Sequence, residues 1–287
     1  MLYRVFTDSC SDLCQDYAKE RALGVIPMLY RIEDKEYQDD YGASMSYHDF
    51  YEKLRAGGSC TTAQINAAEF ERVFAPVMEG GEDILYIAFS SALSGTVQSA
   101  RIAAQELEAR YPGRRLAVVD SKCASMGEGL LVHYALNNRD AGMTLEENAA
   151  WLEENRGKVC HWFTVFDLNH LRRGGRVSAA AFLGTMLSIK PVLHVDDEGR
   201  LIPMEKAKGR ARSIRALFEH MKSTAIQPEG QTVFISHGDS ESDARLLADM
   251  IRAQWGIEDI RMNYIGPVIG AHSGPDTIAL FFLGDKR

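Results

Sequence analysis

ILYIAF at Ile84–Phe89 runs directly into SSALSGT at Ser90–Thr96, and that segment opens a helical spacing over Thr96–Ala109. An apolar run without alternation is the pattern of a strand covered on both faces, and a glycine just ahead of a 3.6-residue periodicity marks entry into a helix. LAVV at Leu116–Val119 repeats the strand signal after the turn Tyr111-Pro112-Gly113, and LYRVF at Leu2–Phe6 carries it at the start. Asn66–Met78 and Met126–Asn137 also space apolar residues by three and four. This alternation is βαβ grammar, and it predicts an α/β fold built on a parallel sheet with helices on both faces.

After about Gly157 the texture changes. Val159–Phe166, Pro191–Val195, Arg200–Lys206, Thr232–Ser236, Ile260–Ile265 and Thr277–Leu283 read as strands, and Asp196-Asp197-Glu198-Gly199 joins two of them as a hairpin turn. Helices are expected near Ala179–Leu187, Arg210–Ser223 and Glu241–Gln254. No internal repeat or Gly/Ser linker separates the halves. The expected organisation is a parallel-sheet α/β domain over residues 1–157 and a second, mixed α/β domain over 158–287 docked on it.

With 287 residues the chain is long enough for about two domains. Lys plus Arg total 32 against 40 Asp plus Glu, a formal charge of −8, which argues against a nucleic-acid backbone binder and against a polybasic membrane patch. The five cysteines form no CxxC pair, and one is left over in any disulfide scheme, so a reducing compartment is the simpler reading. The opening MLYRVFTDSCSD turns polar after six residues, and IALFFL at Ile278–Leu283 falls far short of the roughly 20 residues needed to cross a bilayer. A cytoplasmic protein with no stable membrane insertion is expected.

Each early strand ends in hydroxyl or carboxylate residues: Thr7-Asp8-Ser9, Ser90-Ser91 and Asp120-Ser121. The carboxyl ends of parallel strands line the ligand crevice of an open sheet, so these groups are expected on one rim, although Ser, Thr and Asp are also ordinary caps and turn formers. SSALSGT is the most informative stretch. Gly95 allows close approach of a ligand, the free N–H groups of the helix that follows favour an anion, and Ser94 or Thr96 adds a hydroxyl; a plain Ser N-cap is the alternative.

Nucleotide loops do not fit: GxxxxGK[ST] is missing, and Gly127-Glu128-Gly129 lacks a third glycine. Without HExxH, CxxC or an EF-hand loop, no metal or cofactor is expected. Gly266–Pro275 (GPVIGAHSGP) surrounds His272 with glycines and prolines and reads as a shaped loop presenting that imidazole, or as a tight crossover. LRRGGR at Leu171–Arg176 offers guanidinium groups for an anion or an acidic partner, or is a solvated basic turn.

Taken together, Thr7-Asp8-Ser9, Thr62-Ala63-Gln64, SSALSGT, Asp120-Ser121 through Gly127-Glu128-Gly129, LRRGGR, SIKPVL at Ser188–Leu193 and IGPVIGAHSGP at Ile265–Pro275 resemble, in order and from end to end, the DegV family of bacterial fatty acid-binding proteins. The resemblance implies a two-domain α/β carrier that buries one long-chain fatty acid and presents its carboxylate to a separate fatty acid kinase, the acyl phosphate then feeding phospholipid synthesis. It implies no catalysis by the carrier itself. Carried over by position, Thr62, Ser94 with the Gly95 and Thr96 backbone, and His272 hold the carboxylate; Arg176 lies near the mouth; Lys208 and Arg210 face the kinase. The family's usual Thr-Ser-Gln-Pro is here Thr62-Ala63-Gln64-Ile65, which removes one hydroxyl, and His-Thr-Gly is here His272-Ser273-Gly274, which keeps it.

Physical chemistry is consistent with such a ligand. About fifteen apolar carbons at about 0.8 kcal/mol each supply up to roughly 12 kcal/mol before entropic costs, so the tail dominates affinity. A carboxylate buried unpaired costs several kcal/mol, so the head needs donors and fixes orientation. Phe182, Leu183, Met186 and Leu187 are candidates for the tail tunnel or for plain core. A rival reading is a hydrolase or acyltransferase using a strand-end serine, His272 as base and Asp8 or Asp120 as orienter, though no GxSxG elbow precedes those serines.

Overall fold

The computed structural model describes residues 3–177 and 189–287. Its first half is built on β1 (Tyr3–Asp8), β2 (Gly24–Ile26), β6 (Asp83–Ala88) and β7 (Leu116–Asp120), all parallel, in the order β2-β1-β6-β7. Every residue of β6 is buried, and the reason lies in its two faces. Phe6, Ile84, Tyr86 and Leu116 pack against α3 (Ala67–Glu79) and α4 (Thr96–Arg110) on one side. Val5, Leu85, Ile87 and Val119 pack against α5 (Met126–Asp140) and α6 (Leu145–Asn155) on the other. Both faces are apolar, so the strands show no alternation.

Helix starts follow local rules. Asn66 Oδ1 accepts from the Glu69 N–H at 2.9 Å ahead of α3, and Thr144 with Glu147 forms a reciprocal capping box at α6.

The second half is a six-stranded mixed sheet made of β8 (Val159–Thr164), β9 (Ile189–Val195), β10 (Leu201–Lys208), β11 (Val233–His237), β12 (Ile260–Tyr264) and β13 (Ile278–Leu283), in the order β10-β9-β8-β13-β11-β12. Only β11 and β12 pair in parallel. Trp162, Val192, Ile235, Leu280 and Phe282 face α8 (Arg210–Thr224) and α9 (Glu241–Trp255). Phe163, Leu193, Phe234 and Phe281 face the other way, onto α5. That helix is therefore packed between both sheets, which accounts for apolar residues around its whole circumference. Gly127 makes the approach possible, since a Cβ there would stand 2.1 Å from His161 Nε2. The Gly127-Glu128-Gly129 run thus serves helix packing.

The Asp196–Gly199 turn forms as expected. Asp196 Oδ1 accepts the N–H groups of Glu198 at 3.1 Å and Arg200 at 2.8 Å, and Gly199 adopts a φ of +84°. The hairpin folds back on the first half, where the Ser90 hydroxyl donates to the Gly199 carbonyl at 2.9 Å.

Some elements differ from the sequence expectation. A small antiparallel sheet, β3 (Leu29–Ile32), β4 (Lys35–Gln38) and β5 (Cys60–Ala63), sits beside the main sheet with α2 (Tyr47–Arg55) against it, and α1 (Gln15–Glu20) precedes it. The expected loop around His272 is instead α10 (Pro267–Ser273), following α7 (Leu168–Gly174) in space and packed on it. Its proline stands at the first helical position and Gly274 follows its end with φ +82°, the usual start and stop punctuation of a helix. The helix expected near Ala179–Leu187, the tail candidates Phe182, Leu183, Met186 and Leu187, and Ser188 lie outside the described residues.

Candidate functional site

Between the two halves lies a cavity of about 420 Å³, within the roughly 300–1,000 Å³ range of small-molecule sites. Its wall is mostly apolar. Phe89, Leu93 and Val268 come from elements attached to the first sheet, and Phe163, Leu201 and Phe281 come from the second. Thr62, Ser94, Gly95, His272, Gln64 and Ser273 add polar groups.

Three local structures assemble that polar end. β5 carries Thr62; the turn after β6, closed by Leu93 and Ser94 N–H groups on the Ser90 carbonyl, carries Ser94; α10 carries His272. Thr62 Oγ1 and His272 Nε2 are 2.9 Å apart. Ser94 Oγ lies 2.9 Å from Thr96 Oγ1 and accepts the N–H of Thr96, the first residue of α4, at 3.3 Å, while the N-cap residue Gly95 offers no side chain. Gly95 tucks under Gln64, whose Oε1 would stand 2.3 Å from a Cβ at that position.

The two imidazoles of the cavity differ. His161 is saturated: its Nδ1 reaches the Val159 carbonyl at 2.8 Å and its Nε2 accepts the Ala124 N–H at 3.3 Å. Burial holds it neutral, with a pKa well below the usual value. His272 also stays neutral, its pKa pushed down to about 4 by burial and by the Arg176 guanidinium. Unlike His161, it is not saturated: its Nδ1, packed against Gly174, and the neighbouring Ser273 hydroxyl are buried without a partner among the described residues.

Of the residues expected at the site, Thr62, Ser94, Gly95, His272 and Arg176 line this cavity, and Thr96 stands behind Ser94, fully buried. Lys208 lies exposed on β10, an edge strand. Arg210 opens α8, pairs with Asp243 and Ser240, and places its guanidinium 4.3 Å from the Phe166 ring centre; neither basic residue lines the cavity.

The strand-end groups do not converge on a ligand rim. Asp8 accepts from Cys10 N–H at 3.0 Å, Tyr86 hydroxyl at 2.8 Å and Phe89 N–H at 3.1 Å. Asp120 accepts from the Ser91 and Lys122 N–H groups, both at 3.1 Å, and Thr7 donates to Glu128 at 2.7 Å. These groups brace loops. The hydrolase reading therefore loses its triad: His272 bonds Thr62, its Nδ1 bonds nothing among the described residues, and Asp8 and Asp120 are committed elsewhere.

His48, Glu52 and Asp239 form one surface group spaced for a cation, but Arg55 Nη1 already bonds Glu52 at 2.9 Å and Asp239 at 2.6 Å, so a guanidinium supplies the positive charge there. Among the described residues no helix is long and apolar enough to cross a membrane.

The sequence profile described as "Uncharacterised protein, DegV family" matches residues 3–285. A DegV domain-containing protein of Clostridium perfringens is 44% identical over 284 residues, covering 99% of this chain and 98% of that protein. The structure of a DegV family protein from Thermus thermophilus, described for its fatty acid binding, superimposes with a TM-score of 0.88 at 32% identity over 99% of this chain and 100% of that one. A DegV lipid-binding protein from Thermotoga maritima gives 0.86 at 28% identity, with both chains covered in full. Family match, identity over whole length and shared architecture agree: the chain belongs to the DegV family.

Proposed function

We propose that this protein binds a single long-chain fatty acid in the cavity and offers its carboxylate to a separate fatty acid kinase for acyl-phosphate formation, performing no bond chemistry itself. The observation that carries the reading is an apolar cavity of about 420 Å³ with Thr62, Ser94 and His272 together on its wall. The fatty acid binding of the 32%-identical Thermus thermophilus relative supports it.

A neutral His272 has one protonated ring nitrogen. With that proton on Nε2, the imidazole donates to Thr62 Oγ1 and leaves the Thr62 hydroxyl hydrogen for the carboxylate; the bare Nδ1 then faces Gly174 as an unpartnered acceptor, a lesser penalty than an unpartnered donor. The Ser94 hydroxyl and the first-turn N–H groups of α4 beyond Thr96 supply further donors to the same anion. Residues 1–157 carry most of the carboxylate seat in this scheme, and 158–287 complete the tunnel. Exposed Lys208 and the start of α8 at Arg210 form the face offered to the kinase, and the setting is cytoplasmic. No cofactor is required.

Native mass spectrometry of the purified protein tests the reading. One bound fatty acid per chain is expected, and an empty protein that also fails to take up palmitate or oleate contradicts it.

A further inference from the structure

The part-buried Arg287 guanidinium is held by neutral acceptors. Its Nε donates to the Val159 carbonyl at 3.0 Å, and its Nη1 to the carbonyls of Lys122 at 2.7 Å and Asp196 at 3.0 Å. Its Nη2 donates to the Arg156 carbonyl at 2.7 Å and to Cys123 Sγ at 3.0 Å. A guanidinium carries five N–H donors, and here each has its own acceptor, which a solvated surface arginine does not need. The acceptors lie on three separate segments: the link from β7 to α5, the approach to and start of β8, and the hairpin between β9 and β10.

Each segment also supplies a wall residue of the apolar cavity within two positions of an atom that Arg287 holds. These are Ala124 beside Cys123, His161 two beyond Val159, and Val195 beside Asp196. The Ala124 N–H donates to His161 Nε2 at 3.3 Å, and Val195 follows His194, the β9 partner of Trp162, so the three stand side by side. Their patch is at the end of the cavity away from the polar groups. His161 pairs with Phe281 on β13, whereas Thr277, whose hydroxyl donates to the Ser273 carbonyl at 3.0 Å, stands just ahead of Ile278. From Ile278 to Phe281 the strand covers about 10 Å at about 3.3 Å per residue. Burial first, and the Arg287 charge next, keep His161 neutral, so the patch carries no charge despite its imidazole.

We propose that Arg287 is a positioning residue for acyl chain length: by fastening three segments together from behind, it fixes where the cavity ends and so which tails fit. The inference rests on the fatty-acid reading of the cavity and adds to it a stop for the tail. The Ser90 hydroxyl on the Gly199 carbonyl and Lys122 Nζ on the Asp197 carbonyl, both at 2.9 Å, keep the hairpin attached without Arg287. Its loss therefore loosens this wall and leaves the fold in place.

The test is displacement of a fluorescent fatty acid by myristate, palmitate, stearate and arachidate, on wild type, Arg287→Ala and Arg287→Lys. In wild type, affinity should rise with length until the tail meets the patch and then stop. Room for two further methylenes is worth roughly tenfold, so Arg287→Ala should raise the affinity for arachidate relative to palmitate by about that factor. Arg287→Lys keeps the charge but offers its donors from a single point, so its ratio should fall between the other two. A merely structural role weakens all four acids alike. An arachidate-to-palmitate ratio that is unchanged or lowered in the variants overturns the positioning role and leaves the fatty-acid reading standing. If Arg287→Ala does not fold, Arg287→Lys decides by the same ratio. Wild type that binds none of the four acids overturns the fatty-acid reading, and this inference with it.

Discussion

Thr62 Oγ1 and His272 Nε2, 210 residues apart in the chain, meet at 2.9 Å and join the small antiparallel sheet of the first half to the short helix of the second. This single contact stands at the polar end of the apolar cavity, so it can orient a head group.

Removing its hydroxyl should loosen the ligand without unfolding the protein. A hydrogen bond to a charged group is worth about 1.5–3 kcal/mol, so Thr62→Ala is expected to lower fatty acid affinity by roughly 10- to 100-fold, while Thr62→Ser retains most of it. Ser94→Ala should act in the same direction. Fluorescent fatty acid displacement measures both, and an unchanged affinity in Thr62→Ala contradicts the assignment.

A methyl group at Gly174 probes His272 from behind. The residue is helical and a Cβ there would stand 2.3 Å from His272 Nδ1, so Gly174→Ala must displace the imidazole while gaining helix propensity. The melting temperature should stay within a few degrees, but fatty acid affinity should fall about as far as in His272→Ala. Equal affinity to wild type shows that the ring's position does not matter.

The imidazole should report the ligand's charge. Burial and the Arg176 guanidinium push the His272 pKa down to about 4. Its folded pKa lies below the unfolded value of 6.5, so the unfolded chain takes the proton first, and the neutral ring's contribution to stability is lost as pH falls from 6.5 toward 4. A bound carboxylate favours the imidazolium, so NMR titration should place the His272 pKa higher in the loaded protein than in the empty one. The same pKa in both states argues that the carboxylate lies elsewhere.

Asp39 works in the opposite sense. Burial pushes its carboxyl up to about 7 from 3.8, so the folded state keeps a proton that the unfolded state releases, and stability falls as pH rises across that interval. The gap is worth at most about 4 kcal/mol. Asp39→Asn keeps the acceptor facing the Val268 N–H and cannot ionise, so it should melt higher than wild type at pH 8 and close to it at pH 4. Thermal melts at both values decide, and a destabilised variant at pH 8 refutes the account.

The parts of the fold that could be read from sequence are those where local chemistry and tertiary environment agree. β6 and β7 show no alternation because both faces are covered, Asn66 and Thr144 announce their helices, and Asp196–Gly199 turns as its residues require. β3 to β5 were not legible because four-residue strands carry too short a pattern, and they depend on α2 and α10 for burial. α10 had a signal, Pro267 at its start and Gly274 past its end, which the density of glycines masked. At the site, spacing alone pointed to Ser94 and Gly95 but could not bring Thr62 to His272; the family resemblance did that. Gln64 over Gly95 and the orphaned Ser273 hydroxyl depend on contacts that only the folded chain reveals.

A crystal structure of the protein grown with palmitate measures the central claim directly. Continuous alkyl density should run through the cavity between Phe89 and Phe281, ending in a carboxylate within hydrogen-bonding distance of Thr62 Oγ1 and Ser94 Oγ. Density for the acid elsewhere, or a cavity packed with side chains from this chain, contradicts it.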